Sequence, residues 1–204
     1  PVWAQDKWGT DRPFTLYIKD QGMYDRIYLD KLRNEWVTPQ QIDTWLSQLE
    51  AAKPGVKVNV IVEACYSGSF IDLPQRVGKP GRVVIASTGA ANVAWASSSG
   101  AVFSDHFLAS LGEGGSLYTG FQAARWAVQL AHPDQTPWLD DDGDGIANET
   151  ADGQEAQHRG FAYAGTLADE TWPPYIVQVV GPGSIAHGQG EEEVTDGESQ
   201  EERV

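Results

Sequence analysis

The chain has little of what would make several answers easy. It holds one cysteine and one methionine among 204 residues, which excludes an internal disulfide framework. The lone thiol leaves the compartment open, since a secreted protein can carry one. No apolar run approaches the roughly 18 residues of a membrane span, and no signal-peptide pattern stands at the N-terminus. The first residue is Pro1, not Met, as expected of a fragment or a processed product. The basic residues form no stripe that could release counterions from a phosphate backbone, so nucleic acid is not an expected partner.

What is abundant is acid, and it is local. The formal charge is −15. Residues 188–204 hold seven acids and one Arg, residues 134–157 hold eight acids and no Lys or Arg, and elsewhere 14 acids face 13 bases. The first stretch, "GQGEEEVTDGESQEERV", cannot bury enough apolar surface to order itself and reads as a solvated tail or linker toward a further domain or the cell surface. The chain is therefore expected to be one domain over 1–187, with a loop insertion at 138–152 and a disordered tail at 188–204, within a larger multidomain protein.

Strand and helix patterns alternate. "FTLYIK" (14–19) predicts a strand and "DRIYL" (25–29) a short extended segment after a turn. A helix is predicted over 38–52, with Thr38 as cap, Pro39 at its first position and Gln41 closing a capping box. Ile42, Trp45, Leu46 and Leu49 should form its apolar face, and "KPG" (53–55) should stop it. "VKVNVIVEAC" (56–65) puts Val56, Val58, Val60 and Val62 on one face and Ile61 on the other, as in an inner strand of a mostly parallel sheet. "RVVIAST" (82–88) and "YIVQVV" (175–180) are further strands, and 102–111 and 116–131 are helices. The result is a doubly wound α/β sheet, which binds ligands beyond the carboxyl ends of its strands.

Cys65 stands at such an end, followed by the polar turn Tyr66-Ser67-Gly68-Ser69, with Gly68 expected to permit the sharp bend. Two readings stay open from position alone: a small buried hydrophobe, or a nucleophile on display. His106 falls in a helix whose Phe103, Phe107 and Leu111 face the core, His132 at a helix end, His158 after the acidic loop and His187 in the linker. None of the four occupies a strand end.

The block E-A-C-Y-S-G-S (63–69) resembles the nucleophile motif of the legumain-like cysteine peptidases of the caspase-type clan. The resemblance spans roughly residues 14–165 and includes a strand ending in Asp20-Gln21-Gly22, 44 residues before Cys65. It implies a caspase-like three-layer sandwich, a mostly parallel sheet flanked by helices. It also implies that a strand preceding 14–19 lies outside the chain. The implied reaction is peptide-bond hydrolysis through a Cys65 thioester, with the Gly22 and Cys65 amides as oxyanion hole and a peptide or protein as substrate. Where the family has His, this chain has Gln21, an amide that exchanges no proton near neutrality. An engineered inactivation, a natural loss of activity and a different base are the three explanations. The alternative to a peptidase is a non-catalytic peptide-binding or structural module.

"DDDGDGIANE" (140–149) carries the other signal. Asp140, Asp142 and Asp144 alternate, Gly145 follows, and the Ile146 carbonyl and Glu149 complete a set of hard oxygen donors suited to Ca²⁺. Magnesium, which prefers fewer carboxylates and more water, fits less well. The spacing resembles the shortened D-x-D-x-D-G calcium loops of extracellular bacterial proteins, and implies an extracellular or cell-surface location. "GPGSIAHG" (181–188) mimics a dinucleotide fingerprint without the helix it needs, and the sequon at Asn148 lies inside the cation loop.

Overall fold

The structure is a computed structural model that describes residues 13–161 and 177–180, except 31, 73, 75, 98 and 99. The tail at 188–204, the glycine-rich 181–188, His187 and the first two residues of the 175–180 strand lie outside the described residues.

The central sheet is built from β1 (Phe14–Lys19), β5 (Val58–Glu63), β6 (Arg82–Ala86), β9 (Trp138–Asp140) and β10 (Val177–Val180). Their order across the sheet is β10-β1-β5-β6-β9; every pairing is parallel except β6 with β9. All six residues of β5 and all five of β6 are buried, as expected of strands covered on both faces.

The period-2 split of side chains creates two cores. On one face Val56, Val58, Val60 and Val62 pack with Ile42, Leu46 and Leu49 of helix α1 (Pro39–Ala52) and with Phe70 and Ile71 of the short helix α2 (Ser69–Asp72). On the other, Ile61, Val83 and Ile85 pack with Phe103 and Phe107 of α3 (Val102–Gly112) and Leu117, Phe121 and Val128 of α4 (Leu117–Ala131). The molecule is thus the expected three-layer α/β sandwich.

α1 starts as its sequence dictates, with both hydrogen bonds of the Thr38–Gln41 capping box formed. One expectation fails: Trp45 is 41% exposed and lies off the face that Ile42, Leu46 and Leu49 bury. What ties α1 to the sheet is Arg82, wholly buried, whose guanidinium donates to Asp43 at 2.8 Å and to Glu50 at 2.7 Å. A three-stranded antiparallel sheet follows β1 directly: β2 (Gly22–Met23), β3 (Arg26–Asp30) and β4 (Glu35–Val37). A hairpin of β7 (Ala96–Ser97) and β8 (Gly100–Ala101) precedes α3. A 3-10 turn spans Ala156–His158.

Candidate active site and acidic loop

Parallel pairing of β1 with β5 sets Lys19 opposite Glu63, and the Asp20 amide donates to the Glu63 carbonyl at 3.2 Å. Just past these strand ends Gly22 meets the Cys65 backbone. A Cβ added to Gly22 would collide with the Cys65 carbonyl oxygen and lie 2.8 Å from the Ala64 Cβ, so only glycine allows this approach. Gln21 is exposed; its amide donates to the Asp20 carboxylate at 2.6 Å and its carbonyl accepts from the Tyr28 amide of β3 at 3.0 Å. Cys65 is partly exposed. Its Sγ accepts from the Ala94 amide at 3.4 Å and lies 3.8 Å from the Ala94 carbonyl oxygen.

Each residue of the turn after Cys65 clasps a different neighbour. Tyr66 takes the left-handed conformation, φ 60°, and its amide donates to the Asn92 carbonyl at 2.8 Å. The buried Ser67 Oγ accepts the Thr88 amide at 3.2 Å, and Ser69 Oγ accepts the Asp25 amide of the β2–β3 turn at 3.1 Å. Gly68 corrects an expectation: the left-handed bend falls on Tyr66, and the glycine is required instead by close approach. A Cβ there would stand 2.5 Å from the Ala90 amide nitrogen and 2.8 Å from Trp138 Cε3.

Behind Cys65, Glu63 is 4% exposed. Its carboxyl accepts the Tyr17 hydroxyl at 3.4 Å and the Ser104 amide at 3.3 Å, and the Tyr17 and Ser104 hydroxyls are themselves in contact. Burial pushes Glu63 up to about 7 and drives the Tyr17 hydroxyl up as well. Three histidines fall among the described residues. His106 and His158 are exposed, and the His132 ring stacks on Trp95 with centroids 5.2 Å apart. None of these three makes a hydrogen bond to Cys65. Sequence reasoning did not find the partners of Ser67 and Ser69, because Thr88 and Asp25 lie far away along the chain.

In the acidic loop, carboxylate oxygens of Asp140, Asp142 and Asp144 all come within 4.8 Å of one another. Asp140 is buried and accepts the Gly143 amide at 2.7 Å and the Gly145 amide at 3.0 Å. Burial first, then the charges of Asp142 and Asp144, hold its carboxyl above the usual range. Gly145 takes φ 86°, as the tight turn requires. The Ile146 amide donates to Asp144 at 2.7 Å, and its side chain is exposed. Glu149 stands outside the group of three but close enough that Asp144, chiefly, raises its carboxyl.

Two further acids, which the spacing did not single out, build the loop's frame. The Asp141 carboxylate accepts the amides of Gly153, Glu155 and Ala156 at 2.8 to 3.0 Å. Asp152 accepts those of Asp141 and Glu149. Asn148 is used structurally too: its side chain donates to the Pro137 carbonyl and accepts the Leu139 amide.

No protein-family model matches the chain, and no curated protein sequence matches it. Among solved structures it is similar to caspase-1 from Spodoptera frugiperda, with a TM-score of 0.51 at 13% sequence identity; the match covers 69% of this chain and 65% of that one, just under two thirds of its length. A central, mostly parallel sheet with helices on both faces, aligned on that neighbour, gives the chain a caspase-like α/β fold.

Proposed function

We propose that the chain is a cysteine-endopeptidase-type domain, resembling the legumain-like group, in which Cys65 attacks the scissile carbonyl of a peptide or protein substrate. In that step the Cys65 Sγ–carbonyl bond forms, the carbonyl electrons move onto oxygen, and the Gly22 and Cys65 amides stabilise that oxyanion. Collapse to the thioester expels the leaving amine, which must gain a proton; hydrolysis of the thioester then restores the thiol. The observation that carries this reading is the contact of Gly22 with the Cys65 backbone at the joined carboxyl ends of β1 and β5.

Gln21 occupies the position from which a proton would be taken and returned, and its amide does neither. An unassisted thiol is only roughly a few per cent thiolate at neutral pH. Turnover as written is therefore absent or very slow. The same residue favours a second reading, a non-catalytic peptide-binding module that keeps the cleft. Gln21→His decides between them: it should raise peptide cleavage by about 100-fold or more, the scale of a positioned general base. Cys65→Ala in that background should abolish the gain. A Gln21→His chain inert toward a broad peptide library favours the module.

We further propose a structural Ca²⁺ held by Asp140, Asp142 and Asp144, with the Ile146 carbonyl and Glu149 as the remaining donors. The fit rests on three converging carboxylates whose mutual repulsion a hard cation would relieve. The ion would supply cross-linking of the loop, not chemistry at Cys65. A calcium loop in turn supports an extracellular or cell-surface location, where the free ion is plentiful. The acidic 188–204 suits a linker in a larger multidomain protein.

A further inference from the structure

Thr88, wholly buried just past the end of β6, closes a circuit around Cys65. Its amide donates to Ser67 Oγ at 3.2 Å, which ties it to the turn that follows the cysteine. Its hydroxyl donates to the Val93 carbonyl at 3.3 Å. That carbonyl and the Ala94 N–H belong to one planar peptide, and in a trans peptide the two point in opposite directions. Holding the Val93 oxygen on Thr88 therefore turns the Ala94 N–H the other way, where Cys65 Sγ lies at 3.4 Å. The next peptide is held separately. Gln135 Oε1 accepts the Trp95 amide at 2.9 Å, which leaves the Ala94 carbonyl facing the same sulfur at 3.8 Å. The sulfur thus meets a donor fixed by Thr88 and an acceptor fixed by Gln135.

We infer that Thr88 is a positioning residue for Cys65: its hydroxyl pins the Val93–Ala94 peptide and so keeps the Ala94 N–H on the sulfur. The inference rests on the reading of Cys65 as the reactive group. An N–H held on sulfur favours its negative form, whereas a carbonyl that accepts from the thiol favours the neutral one. The two clamps therefore act with opposite sign. Without the Thr88 hydroxyl the Val93–Ala94 peptide is free to turn, and the thiolate loses its donor. Without the Gln135 amide the acceptor is freed and the donor stays in place. The ionisable groups around the sulfur are Lys19 and Glu63 at the paired strand ends, Asp20 and Tyr66 next to them, Asp105 of α3, and His132 against Trp95. They are the same in every variant below.

Because Cys65 is the single cysteine, iodoacetamide reads this site alone. The quantity measured is the alkylation rate at pH 7 divided by the rate at the alkaline plateau, which follows the fraction of sulfur ionised at pH 7. Thr88→Val keeps the shape of the side chain without its hydroxyl, and should lower that ratio by about threefold or more, the effect of one modest hydrogen bond. Thr88→Ala carries the same expectation if the Val variant fails to fold. Thr88→Ser keeps the hydroxyl and should hold the parental ratio. Gln135→Met, which loosens the same loop at the acceptor, should leave the ratio at or above the parental value. A folded Thr88→Val or Thr88→Ala chain with the parental ratio overturns the inference. So does a Thr88→Ser or Gln135→Met chain that falls as far, since any loosening of the loop would then suffice. Alkylation requires no turnover, so the two readings fail separately. An inert Gln21→His chain with a responsive Thr88→Val sinks only the peptidase reading, and the opposite pair sinks only this one.

Discussion

The turn that holds Cys65 and the loop that gathers Asp140, Asp142 and Asp144 are made by opposite means. At Cys65 nearly every clamp is distant in sequence: Ser67 reaches Thr88, Ser69 reaches Asp25, and the sulfur reaches Ala94. In the acidic loop the chain closes on itself, with Asp140 on Gly143 and Gly145, and Asp141 on Gly153, Glu155 and Ala156. The first region depends on strand register being right before its chemistry exists. The second is a local fold whose acids divide between frame and open triad.

That division is the easiest part to break. Asp141→Ala leaves three amides without their acceptor and should cost about 4 kcal/mol of unfolding free energy. Asp142→Ala, one residue along and exposed, should change stability by less than about 0.5 kcal/mol in chelator. Urea titrations of the two variants provide the contrast; equal losses would erase the distinction between frame and triad.

At the other region the buried acid is Glu63. Its folded value, about 7, lies above the 4.5 of an ordinary glutamate. The stabilisation linked to its proton is complete below about pH 4.5 and is lost as pH rises through about 7, on the order of 3 kcal/mol in all. Glu63→Gln cannot ionise, so its stability should lack that part of the decline between those pH values. Parallel pH–stability curves for parent and variant would refute it.

Calcium should act on the loop and not on the strand end. At a hundredfold excess over Kd the ion should add about 2.7 kcal/mol, seen as a rise of several degrees in Tm over chelator and absent from Asp142→Ala. Identical melting curves would leave the triad as acidic surface. At the Cys65 turn, Gly68→Ala should cost about 2 kcal/mol by overpacking against Ala90 and Trp138. A neutral Gly68→Ala would contradict the close approach.

The same contrast explains what the sequence disclosed. The capping box of α1, the two faces of the 56–65 strand and the alternate aspartates depend on neighbours a few residues away, and the structure keeps them. The doubly wound α/β sheet followed from such local patterns strung in order, whereas the three-layer caspase-like form was implied by the resemblance of the 63–69 block. Trp45 misled because an apolar residue at the edge of a helical stripe satisfies the period whether or not the sheet reaches it. Arg82 and Gln135 left no signal at all: each is a polar residue buried only because the fold brings it partners 32 to 48 residues away. Asp141 was hidden among acids of the same type, since residue identity does not reveal which carboxylate points inward. The small sheet of β2, β3 and β4 was legible only as one extended segment, its outer strands being two and three residues long.

The central claim is that Cys65 is a nucleophile displayed where peptide carbonyls can reach it, lacking only a proton acceptor. Activated peptide esters test it most directly, because their leaving group departs without being protonated. Incubated with a panel of such esters, the native chain should gain one acyl group by intact mass. That group should sit on Cys65 as a hydroxylamine-labile thioester, and Cys65→Ala should gain none. Acylation no faster than that of the urea-denatured chain, across the whole panel, would contradict the account.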